Sequence, residues 1–210
     1  MPKPGDLKYS DDQLDVSSLD AIIDIDVAGR RCTAEPGVTF VDLVSATLPH
    51  GLVPYVVPEL ETITIGGAVA GCSIESMSFE VGGFHDNCLS YELLTGRGER
   101  LRCGHDDEDA LTFNMMHGAF GTLGILTELT FRLCPAEPHV GVVYERHTSA
   151  ASYLASIADH SRAADVDFMD GIIHGPDLYV LSLGHFEQRA PSTHRYDWVT
   201  PYYKTTARLA

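Results

Sequence analysis

Short segments in which apolar and polar residues alternate, separated by glycine and proline, make up most of this chain. Two stretches repeat at helical spacing instead. Residues 21–27 read Ala-Ile-Ile-Asp-Ile-Asp-Val, alternating over the second half, which predicts a strand with one buried face. After Ala28-Gly29 the chain returns through 31–35 as a hairpin partner, and Pro36-Gly37 ends it. Phe40, Leu43, Val44 and Leu48 then share one helical face behind Thr39, a favourable N-cap, and that helix stops before Pro49 and Gly51. A short apolar run at 52–57 closes at Pro58.

Residues 91–95 and 99–103 flank Gly96-Arg97-Gly98, a hairpin signal. Four acidic residues, Asp106 to Asp109, precede Ala110, Leu111, Phe113, Met115 and Met116. They read either as charges complementing the dipole of a short helix or as a solvated acidic turn. Ile125, Leu129, Phe131 and Leu133 are apolar while Glu128, Thr130 and Arg132 are not, so a half-buried strand runs through 125–133, entered from a glycine-rich turn at 118–124. Pro135 and Pro138 mark a boundary. Beyond it a strand (140–144), a helix (149–163) and two strands (166–174 and 178–186) predict a second unit of order β-α-β-β. The expected class is α+β, with a flexible lead-in at 1–18, one domain over 19–136 and part of another over 137–210. A polar and aromatic tail holds Tyr196, Trp198, Tyr202 and Tyr203.

Net charge changes the list of partners. At −16 over 210 residues, the field of the chain opposes nucleic acid and anionic membrane surfaces. No apolar run approaches the roughly 18 residues of a membrane helix, and the first residues lack the apolar core of a signal peptide, so the expected location is the cytoplasm. Five cysteines without a Cys-x-x-Cys pair read as reduced thiols. Ten histidines form neither His-x-x-x-His nor His-Glu-x-x-His, and no metal site is predicted.

The candidate chemistry lies in 64–76, which reads Thr64, Ile65, Gly66, Gly67, Ala68, Val69, Ala70, Gly71, Cys72, Ser73, Ile74, Glu75, Ser76. Nearly every side chain is small, and three glycines allow a turn with positive φ and close approach of the main chain to a ligand. Exposed N–H groups beside small side chains suit an anion such as a diphosphate. A Gly-rich turn packed on its own sheet reads equally well from composition. The turn at Gly121, Thr122, Gly124 and Ile125 has the same character, small residues feeding a strand.

Four motifs in order, Thr64 to Gly71, Gly82-Gly83, Glu92 to Gly96 and Gly121 to Glu128, resemble the FAD-binding domain of vanillyl-alcohol-oxidase (PCMH-type) flavoproteins. Pro58-Glu59-Leu60, Gly71 to Ser76, Asp167 to Ile173 and Trp198 to Lys204 are similar to the Δ24-sterol reductase branch, so the likeness runs over about 19–204. The resemblance implies noncovalent FAD held by 64–76 and 121–125, a small-molecule substrate under a cap domain, and hydride passed from NADPH through the flavin to a carbon–carbon double bond. A proton donor must complete that reduction, and chemistry offers Glu75 or Tyr91; a structural carboxylate is an equal reading of Glu75. The family pattern also implies a further subdomain before Ala21 and a cap continuing past Ala210. The chain is therefore expected to be truncated at both ends, binding flavin weakly or with a partner chain or as a homo-oligomer. A noncatalytic association module and an FAD-linked oxidase of an alcohol or sugar acid are the alternative expectations.

Overall fold

The structure, a computed structural model, describes residues 14–60, 62–193 and 206–208. Within the predicted lead-in, Leu19 N–H closes a turn on the Val16 carbonyl at 3.1 Å. Residues 1–13 and the tail aromatics Tyr196, Trp198, Tyr202 and Tyr203 lie outside the described residues.

The first hairpin joins β1 (Ile22–Asp26) to β2 (Arg31–Ala34), and the Asp26 carboxylate ties its turn by accepting Gly29 N–H and Arg31 Nε, each at 2.8 Å. Helix α1 (Phe40–Thr47) starts as the sequence predicts: Thr39 Oγ1 accepts Asp42 N–H, and Phe40 and Leu43 face the core. Strand β3 is Leu52–Pro54, shorter than its apolar run, since Pro54 lacks the N–H that would extend the ladder. Two short helices follow, α2 (Ile65–Ala70) and α3 (Ser78–Val81), neither of which the periodicity predicts. Then come β4 (Cys88–Leu94), β5 (Arg100–Gly104), α4 (Ala110–Met116) and β6 (Ile125–Pro135).

Strand β6 is the spine of a six-stranded antiparallel sheet ordered β1-β2-β6-β4-β5, with β3 also paired to β6. Its alternation sets Leu129, Phe131 and Leu133 into the core while Arg132 stays exposed. Phe84 lies between Phe40 and Phe131, with ring centroids 5.1 and 5.2 Å away, and Tyr91 stacks on Phe113 at 4.6 Å.

A second sheet, order β7-β9-β8, holds β7 (His139–His147), β8 (Phe168–Gly175) and β9 (Leu178–Glu187), with α5 (Ala150–Ala163) between β7 and β8 in sequence. Its central strand is buried over 180–184. Helix α5 covers one face through Tyr153, which packs with Leu181 and Leu183. The Tyr153 hydroxyl occupies the space that a Cβ at position 171 would need, so glycine is required there. Each sheet has its own apolar cluster. The two meet where Met169 N–H donates to the Ser76 carbonyl at 2.8 Å and where Phe79 packs on the second cluster. Mixed helices and antiparallel sheets make the class α+β.

Candidate functional site

The stretch 64–76 divides into a packed half and an open half. Thr64 Oγ1 accepts the Gly67 N–H at 3.2 Å and caps α2. Ile65 and Gly66 donate to the Val38 and Pro36 carbonyls, each at 2.9 Å, which sews the helix start to the loop before α1. A Cβ at Gly66 would stand 2.5 Å from Pro36 Cβ, so this glycine serves close packing. The expectation of a turn with positive φ at the glycines is corrected. Gly66 and Gly67 are helical, Gly71 has φ −106°, and the positive φ falls on Cys72 at 53°. The N–H groups of Ile65, Gly66, Gly67, Ala68, Gly71, Cys72 and Ser73 all donate within the protein, so this half offers an anion no free donors. Ile65, Gly66, Ala68 and Val69 are buried, while Gly71 and Ile74 are exposed.

The turn at 118–124 lies against the end of α2. Gly118 N–H donates to the Val69 carbonyl at 3.1 Å and Phe120 N–H to the Ala70 carbonyl at 3.3 Å. A Cβ at Gly118 would be 3.1 Å from Cys72 Sγ, so the fold brings both sequence-predicted stretches into contact. Gly118, Phe120 and Gly121 have φ of 72°, 49° and 75°. Cys72 and Phe120 are two of only four residues other than glycine with positive φ among the described residues. Backbone held in that region is strained and is tolerated where the surroundings fix it, as at ligand sites.

Gly121 and Gly124 part company. Nothing lies within 4 Å of a Cβ built on Gly121, whereas one on Gly124 would meet the Leu94 carbonyl at 2.9 Å. Gly124 and Ile125 therefore anchor the turn to the sheet, and Gly121 and Thr122 face open space. Among the described residues, the N–H groups of Ile74, Ser76, Gly121 and Leu123 have no acceptor. Each stretch also exposes apolar side chains, Ile74 in one and Phe120 and Leu123 in the other.

The two predicted proton donors are placed very differently. Glu75 is half-buried, and its Oε1 accepts the Glu59 N–H at 3.1 Å. Burial holds its carboxyl above the ordinary value, and the charges of Asp170 and Glu59 add to this while the Glu59 bond opposes it. Tyr91 lies deeper. It is 1% exposed, packed in the first core against Phe113, and burial pushes its phenol far above the ordinary range. On β4 it pairs with Cys103 of β5 and Leu129 of β6, and its hydroxyl is enclosed without a hydrogen-bond partner.

Sequence reasoning passed over His85 and His117, whose rings lie 4.9 Å apart. Each adjoins a residue bonded to the first glycine stretch, Phe84 to the Ser73 carbonyl and Gly118 to that of Val69. Burial, and then the neighbouring His85, hold His117 below the usual imidazole range. Four thiols are pushed up by burial, Cys32 and Cys88 to about 12, Cys103 and Cys134 to about 11, as inert core groups are. Among the described residues no three His, Cys, Asp or Glu side chains gather as a metal set, and no helix is long and apolar enough to cross a membrane. Sequence reasoning also missed a cavity of about 280 Å³ where Ser76 meets the second sheet at Val140, Val142 and Phe168. The alternation of Val140, Val142 and Tyr144 was its signal.

Residues 5–104 match a family model described as an FAD binding domain. A Delta(24)-sterol reductase homologue of Caenorhabditis elegans is 29% identical over 184 residues, 82% of this chain and 35% of the relative. The Delta(24)-sterol reductase of Homo sapiens is 27% identical over 200 residues, 95% of this chain and 38% of the relative. Cytokinin dehydrogenase 2 of Oryza sativa subsp. japonica is 30% identical over 173 residues, 81% of this chain and 30% of the relative. The chain spans about a third of the length of these curated relatives. FAD joins an anionic diphosphate to a flat, largely apolar ring, and the turn at 118–123 has features that suit such a group: free N–H donors at Gly121 and Leu123, room at Gly121, and the exposed side chains of Phe120 and Leu123. The matched FAD binding domain and the similarity to Delta(24)-sterol reductases over most of the chain together support a PCMH-type FAD-binding family close to the Δ24-sterol reductase branch.

Proposed function

We propose that this chain is the flavin-holding part of an oxidoreductase that reduces a carbon–carbon double bond in an apolar substrate, with noncovalent FAD along the contact of 71–76 with 118–123 and NADPH as hydride donor. The observation that carries this reading is the contact of the two glycine stretches, Gly118 and Phe120 N–H on the Val69 and Ala70 carbonyls, with free N–H groups at Gly121 and Leu123 in one stretch and at Ile74 and Ser76 in the other. When bound, the flavin supplies hydride transfer.

The chain's own residues would do the rest. The free N–H groups hold anionic and carbonyl oxygens of the cofactor without a charged side chain. Ile74, Phe120 and Leu123 present apolar surface that keeps water from the reacting face. Glu75 Oε1 is held by the Glu59 N–H, which leaves Oε2 to carry a proton. A carboxyl kept above its ordinary pKa by burial is the form that can give this proton to one alkene carbon as hydride arrives at the other, and solvent then restores it. The apolar walls of the 280 Å³ cavity beside Ser76 favour an apolar alkene over a sugar acid.

The similarity to cytokinin dehydrogenase 2 supports a second reading, an FAD-linked oxidation on the same scaffold. Anaerobic absorbance separates the two. NADPH added to the FAD-loaded protein bleaches the flavin band, and a water-soluble alkene then restores it. A flavin bleached by an alcohol or amine and indifferent to NADPH selects the second reading; a protein that takes up no FAD overturns both.

A further inference from the structure

On the face of the second sheet that borders the 280 Å³ cavity, an apolar wall of Val140, Val142, Phe168 and Gly184 is interrupted by a polar row. Antiparallel pairing sets Tyr144 of β7 opposite Ser182 of β9, and Ser182 opposite Asp170 of β8, so the three side chains lie on one face across all three strands. All three line the cavity, and Ser76 closes it from the first unit. Ser182 is 8% exposed, and its Oγ is enclosed with no hydrogen-bond partner. Buried hydroxyls are nearly always paired, because an unpaired one forfeits its bonds to water. Its neighbours along the strand, Leu181 and Leu183, are apolar and turn to the opposite face against Tyr153.

We propose that this cavity binds an apolar molecule carrying one hydrogen-bonding oxygen, a ketone or an alcohol, and that Ser182 Oγ bonds that oxygen and selects for it. The inference rests on the proposed function only in reading the cavity as the substrate's side of the site, and it adds the chemistry of the substrate's polar group. An orphaned hydroxyl, set between Tyr144 and Asp170 and flanked by apolar wall, gains a bond from one ligand oxygen and nothing from a hydrocarbon. The selection is thus a difference between two ligands of equal shape. At roughly 30 Å³ for each water-sized atom, the cavity takes a ligand of about nine non-hydrogen atoms.

The test titrates the full chain, without FAD, with 2-octanone and with its hydrocarbon isostere 2-methyloctane, following the amide resonances of Ser182 and Gly184. The ketone is expected to bind about tenfold more tightly in the unmodified protein, one good hydrogen bond's worth. In Ser182→Ala both ligands should bind equally, at the hydrocarbon's original affinity. The unliganded Ser182→Ala protein should melt at or above the parent temperature, since an unpaired hydroxyl is gone. Ser182→Cys, similar in size and a poor hydrogen-bonding group, should lose the preference in the same way and serves if the alanine variant fails to fold. Ketone preference persisting in these variants, no preference in the parent, or a clearly lower melting temperature for Ser182→Ala would overturn the proposal. FAD takes no part in the titration, so each of these failures leaves flavin binding at the glycine contact standing.

Discussion

Gly66 and Gly121 stand in two stretches that look alike in sequence, yet the fold uses them in opposite ways. Gly66 is buried in a short helix, its N–H bonded to Pro36 and its missing side chain making room for that proline. Gly121 is exposed in a turn with φ 75°, with no atom near the position of a Cβ and no acceptor for its N–H. One glycine lets protein approach protein; the other leaves the backbone open to something else. A glycine motif thus says that a close approach occurs, and only the hydrogen-bond accounting says to what.

The largest effect is expected at Gly66. Gly66→Val forces a side chain into Pro36, and relief requires α2 to leave the loop before α1. A stability loss of about 3 kcal/mol or more is expected, read as a large fall in denaturation midpoint together with loss of flavin binding. Gly121→Val is the sharper case. Space is free there, so the cost is the backbone strain of a β-branched residue at positive φ, about 1–2 kcal/mol. Circular dichroism should show the fold retained while FAD affinity falls at least about tenfold, since the branched side chain covers the open N–H groups.

A smaller difference separates the two sheets in their response to pH. His117 in the first unit is held below its ordinary 6.5 by burial, so between that depressed value and 6.5 the unfolded chain binds more protons than the folded one. Its contribution to stability rises with pH through that window and is lost on acidification. His160 on α5 is the reverse. Its ring bonds Asp165 at 3.0 Å and Glu145 of β7 at 3.3 Å, and the Asp165 bond first, then Glu145, holds it above 6.5. That contribution is complete below 6.5 and is lost as pH rises through the raised value. Hydrogen exchange across pH 5 to 8 should therefore show protection of α4 growing with pH and protection of α5 declining. The same trend in both helices would contradict the assignment.

Most strands and the longer helices were legible because each carries its period openly: Thr39 caps α1, Ser149 caps α5, and β6 alternates through 125–133. Helix α2 was not. Two adjacent glycines read as a turn, and what makes them helical is tertiary, the bonds to Val38 and Pro36 from a segment more than twenty residues earlier. The site was legible as two stretches but not in its parts. Nothing local tells that Gly66 faces a proline and Gly121 faces open space, or that Tyr91 turns into the core when Glu75 does not. The cavity was hidden further, since Ser76 and Ser182 meet only through the pairing of β8 with β9 and the Ser76 bond to Met169.

The proposed flavin site is the open region around Gly121. It is tested most directly by titrating FAD into the unmodified protein and into Gly121→Val, following the visible flavin spectrum and identifying the cofactor released on heating. Saturable binding by the unmodified protein and little or none by the folded variant is expected. Equal FAD uptake by the two proteins would contradict it.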